Sequence, residues 1–164
     1  MKYPKFLYLI LFIVFVSSLI GCAPKVIHRW NDKVTVGEFS VLGVKEVLAG
    51  DRVRLANDKI VQYIGIKSPN PGEPFYEEAC EANRFLLRNG RIVLQFQEPL
   101  LNNRGHYLAY AFIPVQGELC FINCELLQFG YAKVDPYSEY TQYKREFSEA
   151  EQHAKANKLG MWKY

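Results

Sequence analysis

Two β-rich stretches joined by a tight turn restrict most strongly what this chain can fold into. Phe39, Val41, Val44, Val47, Val53 and Leu55 recur with partial alternation, Asn57-Asp58 offers a hairpin turn, and Ile60-Val61-Gln62-Tyr63-Ile64-Gly65-Ile66 follows. β-branched and apolar residues at a spacing near two belong on half-buried strands, and Asn and Asp tolerate the left-handed turn conformation between them. After a Pro- and Gly-rich loop, Ser68 to Pro74, the spacing changes. Ala79, Ala82, Phe85 and Leu86 share one face of a helix predicted over Phe75–Asn89, with Gly90 as its stop. Strands are predicted over Arg91–Gln97 and Tyr107–Val115, separated by the polar loop Leu101–His106. Leu119–Ile122 reads as a short strand, and Asn123 as the N-cap of a helix through Phe129, ended by Gly130. A last helix is predicted over Glu139–Asn157. Phe85, Leu86, Tyr110, Phe112, Leu126 and Trp162 are the expected core.

The order is a three-stranded meander, a helix, two strands and two helices. It predicts a mainly β, α+β domain over residues 37–164: a five-stranded OB-fold barrel with three packed helices. A chain of 164 residues that is 49% hydrophobic and 23% charged is neither a disordered tail nor a multi-span membrane protein. Its net charge of +3 overstates its basic character. With Lys2 and Lys5 set aside, 18 basic residues face 17 acidic ones, so the domain exerts no global pull on a polyanion.

Those two lysines open a separate segment. Phe6 to Ile20 is a run of fifteen residues without a charge, about 22 Å as a helix and too short for a hydrocarbon core of roughly 30 Å. It suits a signal peptide over residues 1–21. Leu19-Ile20-Gly21-Cys22 resembles the lipobox of bacterial lipoproteins. The resemblance implies lipidation at Cys22, a linker over residues 22–36, and a partner in the membrane itself. It also implies an envelope location: the periplasmic side of the outer membrane in a host with two membranes, otherwise the outer face of the plasma membrane. Export leaves Cys80, Cys120 and Cys124, an odd number compatible with one disulfide and one buried thiol. Cys120 and Cys124 lack the second ligand pair of a zinc site.

From about Val44 to Trp162 the chain resembles the staphylococcal nuclease (thermonuclease) family. Val47-Leu48-Ala49-Gly50-Asp51 occupies the Val-x-Asp-Gly-Asp-Thr turn, and Ile64-Gly65-Ile66-Lys67-Ser68-Pro69 the Ile-Gly-Ile-Asp-Thr-Pro-Glu stretch. Pro74-Phe75-Tyr76-Glu77-Glu78-Ala79 resembles the family's first helix start, and Gly105-His106-Tyr107-Leu108-Ala109-Tyr110 its Tyr-Gly-Arg-x-Leu-Ala-Tyr strand. Asn123 to Val134 and Glu149 to Trp162 resemble its two C-terminal blocks. The resemblance implies a barrel of the staphylococcal-nuclease type.

It also implies a chemistry that these residues do not support. The family cleaves DNA and RNA with one Ca²⁺ held by two Asp and a Thr carbonyl, a Glu that activates water, and two Arg that stabilise the transition state. Here one metal Asp is Asp51, the other position is Lys67 and the Thr position is Ser68. The catalytic Glu position is Asn70, and the two Arg positions are Gln62 and His106. Calcium needs carboxylate oxygens, Asn70 cannot take a proton, and Gln62 carries no charge. The expectation is therefore no catalytic residue and no resident Ca²⁺, with Asp51 as a turn residue bonding the backbone after Gly50. His106 is expected at the surface where a strand begins.

Arg52, Lys67 and Arg104, with Arg54 nearby, are candidate anion contacts. Tyr137 and Tyr140, with Tyr131, Tyr143, Lys133, Lys144 and Arg145 around them, are candidate stacking and backbone contacts for nucleic acid. The expected function is a membrane-anchored binding module whose ligand is an envelope protein, a glycan or a nucleic acid. The alternatives are an envelope-tethered nuclease with an altered site and a structural lipoprotein.

Overall fold

The computed structural model describes residues 39–139 and 142–163. The expected signal peptide, Cys22, the linker and Tyr140 lie outside the described residues. No helix among the described residues is long and apolar enough to cross a membrane.

The meander forms as expected: β1 (Phe39–Ala49), β2 (Arg52–Leu55) and β3 (Ile60–Tyr63), with Asp58 at positive φ in the β2–β3 turn. β1 serves two neighbours. Residues 39–43 pair with β5 (Arg91–Leu101), and residues 44–49 pair with β2 across two register shifts. Such irregularities bend and twist a strand, which lets β1 turn from one side of the barrel to the other. β5 pairs with β6 (Tyr107–Val115), and β6 closes the ring by a parallel ladder to β3 from Val61↔Tyr107 to Tyr63↔Ala109. The closed ring is β1-β2-β3-β6-β5, the five-stranded barrel. β7 (Glu118–Phe121) extends β6 outside the ring, and β4 (Ile66–Lys67) pairs with β8 (Lys133–Val134) as a separate small ladder.

The helices are α1 (Tyr76–Leu86), α2 (Ile122–Gln128) and α3 (Lys144–Ala156), with a 3₁₀ turn at Gly160–Trp162. α1 is shorter than its apolar pattern predicts, because Leu87 to Gly90 turn away to start β5. Its buried face is Ala79, Cys80 and Asn83 rather than the expected Phe85 and Leu86, which are half-buried. The Arg88 guanidinium covers the Phe85 ring at 4.4 Å. Asn83 accepts a hydrogen bond from the Tyr63 hydroxyl at 3.1 Å and donates to the Ala49 carbonyl at 3.0 Å, tying α1 to the barrel. α3 begins at Lys144 rather than Glu139.

Tyr110, Phe112, Phe121, Tyr143 and Phe147 form one aromatic cluster between the barrel and α3. Phe112 and Phe121 stack at 4.4 Å, and Tyr143 meets Tyr110 edge-on at 4.7 Å. Trp162, expected in the core, is half-buried with the Lys155 ammonium 4.5 Å over its ring.

Asn123 does not cap α2. It lies inside the first turn, wholly buried. Its Nδ2 donates to the Ile64 carbonyl at 2.8 Å, and its Oδ1 accepts the Ala111 N–H at 3.0 Å. These backbone groups lie just beyond the paired ends of β3 and β6. The Asn123 amide fills that gap as a peptide unit would.

Cys80, Cys120 and Cys124 are free thiols, so the disulfide that their number allowed is not formed. The Cys120 thiol instead donates to the Glu125 carboxyl.

Candidate functional site

The site starts at the turn between β1 and β2. A Cβ on Gly50 would lie 2.8 Å from the Cβ atoms of both Ala79 and Ser68, so only glycine lets the turn settle against α1 and the Ser68 loop. That approach buries Asp51, leaving it 3% exposed. Its Oδ2 accepts the Ser68 N–H at 3.3 Å, and its backbone carbonyl accepts the Tyr63 N–H at 2.9 Å. Asp51 is thus a turn residue whose carboxylate meets its own backbone, as expected, and also reaches well beyond the turn. Its carboxylate bridges 17 residues forward to Ser68, because the turn is pressed against that loop. Arg52 Nη2 stands 3.7 Å from Asp51 Oδ1. Burial pushes the Asp51 carboxyl above its ordinary value, against the opposing pull of Arg52 and the Ser68 bonds.

The facing wall comes from β3 and the start of β6. Arg52 and Gln62 are direct partners in the β2–β3 ladder, so their side chains project from the same face. Gln62 Oε1 accepts from Asn102 Nδ2 at 2.9 Å. Asn102 Oδ1 in turn accepts the backbone N–H of Arg104 at 2.9 Å and of His106 at 3.1 Å. Asn102 therefore fixes both the Gln62 amide and the loop that carries His106. In the family resemblance Asn102 stands where an Asp precedes the Tyr-Gly-Arg stretch, and an Asn three residues before Gly105 is an ordinary signal for such a side-chain-capped turn. His106 is half-buried rather than at the surface. Burial, together with the nearby Arg52 and Arg104, lowers its pKa, so the ring is neutral near pH 7.

Three of the four buried side-chain polar atoms without a hydrogen-bond partner among the described residues belong to this site: Asp51 Oδ1, Arg52 Nε and His106 Nδ1. Buried polar groups are nearly always paired, so orphans gathered in one place mark a ligand-shaped need. The group that would satisfy them offers acceptor oxygens to Arg52 and a proton to Asp51.

The other predicted positions fall apart from this trio. Asn70 donates its backbone N–H to Glu73 Oε2 at 2.7 Å and its Nδ2 to Glu73 Oε1 at 3.2 Å, so Asn70 and Glu73 close the Pro-rich loop on each other. Lys67 is exposed on β4, and Arg104 is exposed on the loop before β6. Arg54 pairs with Glu46 at 3.3 Å. Of the aromatic candidates, Tyr137 is 88% exposed, Tyr131 is half-buried, and Tyr143 is in the core with its hydroxyl donating to Gln95 at 3.0 Å.

The donor set does not fit a calcium ion. Asp51 offers one carboxylate, one oxygen of which already holds Ser68 while an arginine flanks the other. The neighbouring position that would supply a second carboxylate carries an ammonium, Lys67. Six to eight oxygen ligands cannot be assembled here without displacing a guanidinium.

Residues 56–164 match the family described as Staphylococcal nuclease homologue. The match begins after Asp51 and takes in β3, the three helices and the strands between them. The chain is 31% identical over 146 residues to Endonuclease YncB of Bacillus subtilis, covering 82% of this chain and 65% of that one. It is 28% identical over 124 residues to the SPbeta prophage-derived endonuclease YokF of the same organism, covering 69% and 40%. It is 26% identical over 128 residues to the Thermonuclease of Staphylococcus intermedius, covering 73% and 74%. The chain thus spans about two-fifths of YokF and just under two-thirds of YncB. A match over more than half of the chain, covering three of the five barrel strands and all three helices, makes this protein a member of the staphylococcal nuclease homologue family.

Proposed function

We propose that this protein is a lipid-anchored envelope protein whose nuclease-fold domain binds nucleic-acid phosphate groups without calcium-dependent cleavage. The observation that carries the reading is the convergence of Asp51 Oδ1, Arg52 Nε and His106 Nδ1, buried and without a hydrogen-bond partner, in a site with a single carboxylate. The non-bridging oxygens of a phosphodiester satisfy Arg52 through a charge-assisted hydrogen bond, and a water carried in with the phosphate can donate to Asp51. Cleavage asks for more. A general base and charged donors at the developing charge each contribute large factors in rate, and Asn70 and Gln62 offer neither. The anchoring part rests on Leu19-Ile20-Gly21-Cys22 behind its uncharged run.

The test uses the full-length protein in detergent with fluorescent single-stranded DNA, with Ca²⁺ or with a chelator. Binding without cleavage, weakened at least tenfold by Arg52→Gln, supports the reading. Metal-dependent cleavage lost in Asp51→Ala overturns it. Labelled fatty acid incorporated by the wild type and not by Cys22→Ser supports the anchor; equal labelling refutes it.

One observation favours a second reading, an altered phosphodiesterase. Arg52 is the direct cross-strand neighbour of Gln62, so a guanidinium persists one strand away from the position that lost its own. Three relatives also carry names of nucleases. This reading predicts cleavage that survives chelation and disappears in Arg52→Gln.

A further inference from the structure

β5 and β6 separate at one end of the barrel. Phe96 pairs with Ala109, but the next pair is Leu101 with Tyr107, so β5 advances five residues while β6 advances two. A strand with surplus residues bows away from its partner, and such bulges are common at barrel rims and beside ligand sites. The bow leaves the mouth of the barrel open. A cleft of about 290 Å³ lies there, lined by Leu42, Leu55, Asn57, Lys59, Phe96 and Tyr107. The strand registers assign its apolar residues to the interior face. Tyr107 lies opposite Val61, Val61 opposite Val53, and Leu42 opposite Ile92; Val53, Val61 and Ile92 are wholly buried. Leu55 is two residues from Val53 and Phe96 four from Ile92, so strand alternation turns both inward as well. Arg52 and Gln62 are the sequence neighbours of Val53 and Val61 and project from the other face. The cleft therefore shares no residue with the site of the orphaned atoms.

The rim is polar and carries one uncompensated charge. Lys59 is exposed and folds over the mouth, with its ammonium 4.7 Å from the centre of the Tyr107 ring. No carboxylate lies within ion-pair distance of it among the described residues. The adjacent acid, Asp58, is held by Lys45. Asn57 Oδ1 accepts the Lys59 backbone N–H at 3.2 Å, which leaves Asn57 Nδ2 as a donor without a partner among the described residues. Below the rim Leu55 is buried, and Leu42, Phe96 and Tyr107 are half-buried, with the two rings edge-on at 6.0 Å. Leu101, the ladder partner of Tyr107, is 46% exposed beside the gap between the strands. An exposed contact between an ammonium and a ring is weak, so an anion can draw Lys59 off Tyr107 and uncover the apolar lining.

We infer that the mouth of the barrel binds a medium-chain fatty acid, an unbranched alkyl chain that ends in a carboxylate. A single negative charge matches the single ammonium, and the second carboxylate oxygen takes the Asn57 amide. The chain lies against Leu42, Leu55, Phe96 and Tyr107. At roughly 30 Å³ for each water-sized group, about 290 Å³ accommodates about ten non-hydrogen atoms, the size of octanoate. Barrel mouths with an apolar lining and a few polar groups are a common setting for small-molecule sites. A nucleotide does not suit this one, because its sugar and phosphate would face apolar side chains below the rim. The inference depends neither on the Arg52 site nor on the lipid anchor.

The experiment is calorimetric titration of the full-length protein in phosphatidylcholine nanodiscs with octanoate, octanol, octylamine and acetate, with empty discs as the reference. Octanoate is expected to bind tightest, octanol more weakly, and octylamine and acetate not at all. Lys59→Gln should weaken octanoate about fivefold, the scale of one exposed charge pair, and leave octanol unchanged. Lys59→Glu should reverse the preference between octanoate and octylamine. Lys59 is exposed, so neither variant endangers the fold. Leu42→Trp places a large ring at a half-buried position of the mouth and should block octanoate and octanol alike, with Tm read alongside to show that the barrel stands. Arg52→Gln should leave every affinity as it was. Octanoate that binds no better than to empty discs overturns the inference. So does octanol that binds as tightly as octanoate, or octanoate binding that survives Lys59→Gln unchanged. Binding abolished by Arg52→Gln also overturns it, since the ligand would then occupy the other site.

Discussion

Removal of the Asn123 amide tests the account of how the barrel closes. Asn123 is wholly buried, as are Ala111 and, at 2% exposure, Ile64, the two residues whose backbone groups it satisfies. Asn123→Ala leaves one N–H and one C=O in the core, away from water. Each unsatisfied group costs about 1–3 kcal/mol, so the expected loss is about 2–5 kcal/mol, before any cavity contribution. That is a large part of a domain stability on the order of 5–15 kcal/mol. Urea denaturation should show a lower midpoint with an unchanged slope, since the surface exposed on unfolding is the same. Hydrogen exchange at the Ala111 amide should accelerate more than at Ala109, which keeps its place in the β3–β6 ladder. Asn123→Asp sharpens the test. A protonated carboxyl can still donate to Ile64, while the ionised form turns a charge toward that carbonyl, so this variant should lose stability as pH rises from 4 to 7. A loss below 1 kcal/mol for Asn123→Ala, or an Asp variant indifferent to pH, would refute the clamp.

Burial pushes the Glu125 carboxyl up to about 7, partly offset by the Cys120 thiol that donates to it. The unfolded chain ionises near 4.5, so this group's contribution to stability is greatest below that pH, falls up to about 7 and is flat beyond. Glu125→Gln should therefore stabilise the protein by on the order of 2–3 kcal/mol at pH 8 and change nothing at pH 4, as read by urea midpoints at both. Asp51→Asn keeps an acceptor for Ser68 and removes a charge that burial penalises. It should raise Tm at pH 7 and lose that gain well below pH 3.8; a lower Tm at pH 7 would mean that the Arg52 attraction outweighs the burial. Gly65 has a φ of +75°, and a Cβ there would lie 2.5 Å from the Phe147 ring. Gly65→Ala should cost about 2–4 kcal/mol, from the left-handed backbone and the displaced core ring; an unshifted urea midpoint would contradict that packing.

Local pattern determined much of this protein. β-branched alternation placed the meander, Asn57-Asp58 the turn and Gly90 the boundary before β5, because strand faces and turn conformations follow from a residue and its near neighbours. The residue types at positions 62, 67, 70 and 106 likewise told which charges the site lacks, since charge belongs to the residue wherever it is placed. Pattern misled where a side chain serves a distant partner. Asn123 has the spacing of a helix cap, yet its amide spans the end of β3 and the middle of β6, because closure of the ring leaves those backbone groups unpaired there. Asp51 is the turn residue its sequence suggests, but its burial and its bond to Ser68 follow only once Gly50 lets α1 press against the turn. Phe85 and Leu86 fit the apolar face of a helix that instead buries Asn83, whose amide ties it to the barrel. The opposition of Lys67 and Lys133 in the β4–β8 ladder, and the gathering of Asp51, Arg52 and His106, join segments far apart in the chain. Periodicity reports which face of an element is buried; only the tertiary packing decides which groups from other elements that face must satisfy.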